Sequence, residues 1–133
     1  MPKVVHFEIH AENPERAIKF YTNVFGWKIN QWGKEPYWMV NTGENKPGDT
    51  YPGINGGLLI RKGKPPIEGQ AVNSYVCTIG VDDLEKHLKN VKKEGGKQVV
   101  DTVTIPNIGT LAYCKDTEGN IFGIIQPSQN MKK

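Results

Sequence analysis

Apolar and polar residues alternate one by one over residues 3–10: Val5, Phe7 and Ile9 fall to one side, His6, Glu8 and His10 to the other. A period of two predicts a strand with one greasy face and one titratable face. The period then changes. Ala17, Ile18, Tyr21, Val24 and Phe25 recur at helical spacing behind Asn13-Pro14, a capping residue followed by a proline suited to the first helical turn, and Gly26 closes the helix. Residues 27–32 and 37–42 read as two strands with Gly33 in the turn, residues 44–52 as a polar loop, and residues 54–61 as a fourth strand entered through Gly56-Gly57. A paired glycine inside a strand signals close packing against a neighbour rather than a phosphate loop.

The pattern then repeats. Residues 74–81 predict a strand. Asp82, with Glu85 three residues on, predicts a capped helix that turns Leu84, Leu88 and Val91 inward until Gly95-Gly96 ends it. Three more strands follow at residues 97–105, 109–115 and 120–126. The last is delivered by the turn Glu118-Gly119-Asn120, where Gly119 suits a positive φ, and it reads as buried on both faces. At an offset of 70, His6 meets Val76, Ile18 meets Leu88, Tyr21 meets Val91 and Gly26 meets Gly96. Recurrence of both periods in the same order marks a duplicated β-α-β-β-β unit. The expected organisation is a first module at residues 1–62, a linker at 63–72, a second module at 73–127 and a polar, frayed tail at 128–133, together one structural domain.

Composition narrows this without changing it. The 133 residues suffice for one domain or two small modules sharing a core. No run approaches the roughly 20 apolar residues of a membrane span, and the start, Met-Pro-Lys-Val-Val-His, lacks a signal-peptide core, so the expected location is the cytoplasm. The net charge of +3 is spread along the chain, which argues for a solvated surface and against a nucleic-acid partner. Cys77 and Cys114, both in predicted strands and without CxxC spacing, read as small hydrophobes.

Four motifs occur in order: His-Phe-Glu-Ile-His at residues 6–10, Phe-Gly-Trp-Lys-Ile at 25–29, Gly-Ile-Asn-Gly-Gly-Leu at 53–58 and Asp-Thr-Glu-Gly-Asn-Ile-Phe-Gly at 116–123. Together they resemble the vicinal oxygen chelate superfamily, which includes glyoxalase I, bleomycin-resistance proteins and extradiol dioxygenases. The resemblance covers about residues 3–127. It implies an α+β fold of two tandem β-α-β-β-β modules whose curved mixed sheets form a cleft, and a homodimer covering the remaining sheet surface. It does not imply one reaction, because function lives in the site.

Metal-dependent relatives place a His on the first strand of each module and a Glu on the fourth strands. Here His6 keeps the first position, Val76 takes the second and Gly123 stands where the final carboxylate would be; residues 55–60 offer neither imidazole nor carboxylate. A catalytic divalent site needs about three protein ligands and an open position, so no metal cofactor is expected. The alternative is a divalent metal held by a rearranged set on His6, Glu8 and His10. His6 and Glu8 share one strand face about 6.6 Å apart. They read either as an acid–base pair on the cleft floor or as a satisfied polar pair that shapes it. Trp27, Trp32, Tyr37 and Trp38 read either as a stacking platform for a planar ligand or as core and dimer contacts. Arg61 and Lys62 could meet an anionic group or face solvent. The expected ligand contacts are His6, Glu8, Trp38, Val76, Thr78 and Gly123.

Two functions follow from the resemblance. One is a metal-free protein that binds a small, partly apolar molecule. The other is a lyase or isomerase, like lactoylglutathione lyase, or a dioxygenase-like enzyme, using a rearranged metal site or Glu8 with His6 as acid and base.

Overall fold

Asn13 opens the first helix as expected: its side chain accepts from the Arg16 backbone N–H, and Gly26 closes the helix in the left-handed region at φ 73°. In a computed structural model that describes residues 2–72 and 75–129, the chain runs β1 (Lys3–Ala11), α1 (Pro14–Phe25), β2 (Lys28–Gln31), β3 (Tyr37–Asn41), β4 (Gly56–Ile60), β5 (Tyr75–Gly80), α2 (Leu84–Lys93), β6 (Lys97–Ile105), β7 (Gly109–Lys115) and β8 (Ile121–Pro127). The duplicated β-α-β-β-β unit is therefore the α+β architecture observed. Ser74, expected to begin a strand, and residues 130–133 of the expected tail lie outside the described residues. Ser128, placed in that tail, is tied down by its backbone N–H to the Ile108 carbonyl at 3.0 Å.

The first module orders its strands β2-β3-β4-β1. β1 and β4 run parallel, with Glu8 opposite Gly57 and Ile9 opposite Leu58, while β2, β3 and β4 pair antiparallel. Phe7, Ile9, Ala11, Val40 and Leu58 are buried on the side that takes Ala17, Ile18 and Tyr21 from α1. Each of the larger side chains among them contributes roughly 1.5–3 kcal/mol when fully buried. The buried part of the helical stripe is shorter than its periodicity predicts: Val24 and Phe25 are more than half exposed, with Phe25 against the Tyr21 and Trp27 rings at 6.2 and 5.4 Å. The second module orders β5-β8-β7-β6 in the same pattern, with Thr78 opposite Gly123. Its core is Val81, Leu84, Ala112, Cys114 and Ile124, with Leu88 and Val91 packed against it.

Two details depart from expectation. The cap of α2 is Asp83, one residue later than Asp82: its carboxylate reaches the Lys86 N–H at 3.1 Å, and Gln126 Oε1 accepts from Leu84 N at 2.9 Å, which starts the helix there. The last strand is buried at Gly123 and Ile124, but Ile121 at its start is 48% exposed. The turn before it is as read: Gly119 has φ 83°, and Asp116 accepts from the Glu118 and Asn120 N–H groups.

The chain divides into two compact units, His6–Tyr75 and Met1–Val5 with Val76–Lys133, so the start of β1 belongs with the second module. No helix among the described residues is long and apolar enough to cross a membrane.

Candidate functional site

Strand alternation sends His6, Glu8 and His10 to the face of the first sheet opposite α1. The antiparallel register brings β3 to the same face through Tyr37, not Trp38, since Trp38 lies opposite Leu58 and packs with the helix-side core. Trp38, expected as a ligand contact, thus lies on the helix side while its neighbour Tyr37 shares the face of Glu8, because a one-residue step along a strand reverses the face. Trp27 also belongs to the helix side, stacked on Tyr21 with ring centres 5.3 Å apart. Trp32 lies edge-on to Tyr37 at 6.2 Å.

Tyr37 closes the site. Its hydroxyl donates to Glu8 Oε2 at 2.9 Å and lies 2.8 Å from His6 Nε2. The phenol has one proton and gives it to the carboxylate, so the structure assigns the Nε2 proton to His6, which donates to the phenolic oxygen. The result is a directed chain from imidazole through phenol to a carboxylate only 6% exposed. Burying a carboxylate costs several kcal/mol unless it is hydrogen-bonded, and the phenol meets part of that cost.

Gly57 makes this geometry possible. It lies opposite Glu8, and a side chain there would collide with the Tyr37 hydroxyl and ring. Gly56 is required in the same way by the Phe7 backbone carbonyl and ring, at 2.5 and 2.6 Å from where a Cβ would stand. The close-packing reading of the glycine pair therefore holds, and it was the one signal in the sequence that could have pointed to Tyr37.

The second module holds its own set. Thr78 is 3% exposed, and its Oγ1 stands 2.7 Å from where a Cβ of Gly123 would be, with the Tyr113 ring 3.3 Å away. Val76 precedes Thr78 by two residues on the same side of β5. Cys114 is buried in the core, where burial pushes its thiol pKa up, and Cys77 is half-buried; both are free thiols.

These residues do not fit a chelated divalent metal. Tyr37 fills the space above Gly57 on β4, where residues 55–60 carry no imidazole or carboxylate, Thr78 and Tyr113 crowd the space at 123, and no three of His, Cys, Asp and Glu gather among the described residues.

Burial holds the His6 pKa below its ordinary 6.5, and the Glu8 charge opposes that shift. The unfolded chain therefore takes up this proton first on acidification. The stability contribution is complete above about pH 6.5 and falls as the pH drops from there toward the folded value. Melting temperatures from about pH 8 to about pH 5 should show this decline, and His6→Gln should flatten it. Equal slopes in both proteins would assign the decline to other groups.

Comparisons with known proteins give the family and the fold. Residues 3–43 match the family model for the bleomycin resistance protein-like N-terminal region. A glyoxylase-like domain-containing protein of Didymella fabae is 36% identical over 120 residues, 88% of each chain. The chain belongs to the glyoxalase-like proteins of the vicinal oxygen chelate superfamily. Glyoxylase-named proteins of Mycobacterium bovis and Mycobacterium tuberculosis are 26% identical over 125 residues, and the chain spans 42% of their length. Among solved structures, a Streptomyces coelicolor methylmalonyl-CoA epimerase in complex with 2-nitronate-propionyl-CoA shares the fold at TM-score 0.63 and 14% identity, covering 95% of this chain and 97% of the other.

Proposed function

We propose that this chain binds a small, partly apolar molecule on the Glu8–Tyr37 face of its first module without a metal. The observation that carries this reading is the Tyr37 hydroxyl lying over Gly57, bonded to both Glu8 and His6. The site is polar at its centre and flanked by apolar side chains, with Met39 opposite Gly57 and Leu59 opposite His10 and Tyr37. Apolar walls around a few placed polar groups are the usual make-up of a small-molecule site. The epimerase structure is bound to a small molecule, which supports a ligand of that size class here. We infer a homodimer as well, testable by light scattering.

The second reading is metal-independent proton transfer of the lyase or isomerase type. The hydrogen-bonded relay from His6 to Glu8 favours it, since it can hold and pass a proton. What it lacks is a group to stabilise an enediolate-like charge.

The test has two arms. Metal content after loading with nickel, zinc, manganese or iron(II) should stay well below one per chain, with no isomerisation of the methylglyoxal–glutathione hemithioacetal under any loading. Neutral aromatic fragments, followed by the His6 imidazole resonances, should bind saturably. Stoichiometric metal lost in His6→Ala would overturn the metal-free reading. Turnover abolished by Glu8→Gln in metal-free protein would establish the second.

A further inference from the structure

Each module carries a groove between its helix and its first strand. In the first module it encloses about 430 Å³ over a floor of Ile9, Ala11, Ala17, Phe20 and Tyr21. In the second it encloses about 320 Å³ beside Ile79, Val81, His87, Asn90 and Val91. At the offset of 70 these are the same five positions. The two grooves share these five positions and then diverge: the first runs toward the start of α1 and Arg61, the second toward the end of α2 and β8, and both are of small-molecule size.

The rims differ. In the first groove, Arg16 and Arg61 stand beside a single carboxylate, Glu12, and the His10 carbonyl accepts from Arg61. In the second, the only residue of fixed charge in the lining is Glu94. The pairings Glu8–Gly57 and Thr78–Gly123 put Pro127 at the place of Arg61. The two copies thus differ in charge at one wall position, Arg61 against Pro127, while Arg16 keeps a basic counterpart in Lys86.

Arg61 is built into the wall rather than waving in solvent. Its backbone N–H donates to the Ala11 carbonyl at 2.9 Å and its Nη2 to the His10 carbonyl at 2.7 Å. Its Nε is buried without a hydrogen-bond partner, a costly state for a charged donor group. Among the described residues the one ion pair is Arg16 with Glu12, at 3.5 Å and largely exposed, so the Arg61 charge is not matched by a carboxylate. A guanidinium fixed at a rim is the preferred partner of a planar or tetrahedral anion, and the floor below it is apolar and aromatic.

We propose that the groove between α1 and the end of β1 is a second binding site, on the opposite side of the sheet from Tyr37 and Glu8, for a small anionic amphiphile. Arg61 takes its carboxylate or phosphate head, Arg16 approaches from the helix, and the apolar body lies along Ile9, Ala17 and Phe20.

Titration calorimetry with octanoate, octyl phosphate, octylamine and octanol tests this, with tryptophan fluorescence reporting through Trp27 on Tyr21. One or both anions should bind at one per chain, and the one that binds more tightly identifies the head group. Octylamine and octanol should bind at least about tenfold more weakly. Arg61→Gln should weaken the anion about tenfold and Arg16→Ala a few-fold. Lys86→Ala, the counterpart of Arg16 in the second module, should change nothing. Should Arg61→Gln fail to fold, Ala17→Trp, which fills the groove, should abolish binding in its place. Equal binding of octylamine, affinity unchanged in both arginine variants, or equal loss in Lys86→Ala would each overturn the proposal.

Discussion

A Gly57→Glu variant is expected to lose stability in the first module rather than to gain a metal. The substitution places a carboxylate on β4, beside Glu8 and His6. Yet its Cβ would fall on the Tyr37 hydroxyl, with ring carbon Cε1 only 2.5 Å away. Tyr37 cannot simply turn aside, because Glu8 and His6 hold its hydroxyl at 2.9 and 2.8 Å. Overpacking of this kind costs about 3 kcal/mol or more once the hydrogen bonds break as well. Gly57→Ala should already show most of the loss, as a lowered urea midpoint. Combining it with Tyr37→Ala should cost less than the sum of the two single changes, since they remove one shared conflict. A Gly57→Glu protein as stable as the parent and holding near-stoichiometric nickel or zinc would mean that the site can open to chelation.

Tyr37→Phe is expected to keep the fold and disable the site. The ring still covers Gly57, so packing is preserved. What disappears is the hydroxyl that serves both Glu8 and His6. Removing one partner from a buried carboxylate costs about 1–3 kcal/mol, read as a lower denaturation midpoint with an unchanged slope. The His6 Nε2 proton loses its acceptor at the same time, so nitrogen chemical shifts should report a changed tautomer balance. Neutral fragments that bind the parent protein should bind roughly tenfold more weakly. If stability, tautomer and binding were all unchanged, the relay would be incidental to the site.

Both expectations turn on contacts that sequence reading placed only in part. The first strand was legible because its alternation is local and clean; it put His6 and Glu8 on one face, where they are found. The helix start at Asn13, the glycine stops and the hairpin at Gly119 were legible because caps and positive φ are decided within four residues. Which aromatic of β3 shares the face of Glu8 was not legible. Tyr37 and Trp38 are adjacent and chemically alike, and nothing local says which will share a face with a strand 29 residues earlier. Val24 and Phe25 fit the helical stripe but are more than half exposed, because periodicity marks a direction and not a depth of burial.

The sequence by itself determined the order of elements, the duplication, the glycine pair in β4 and the depleted set of chelating residues. These rest on short-range periodicity, on turn chemistry and on which atoms the side chains possess. Only the tertiary structure decided that Tyr37 lies across Gly57 and that Arg61 reaches the carbonyl of His10, 51 residues away. Those contacts depend on strand register, and register is set by burying whole faces at once. No single stretch of chain contains that information, because it belongs to the pairing of β1 with β4 and of β4 with β3.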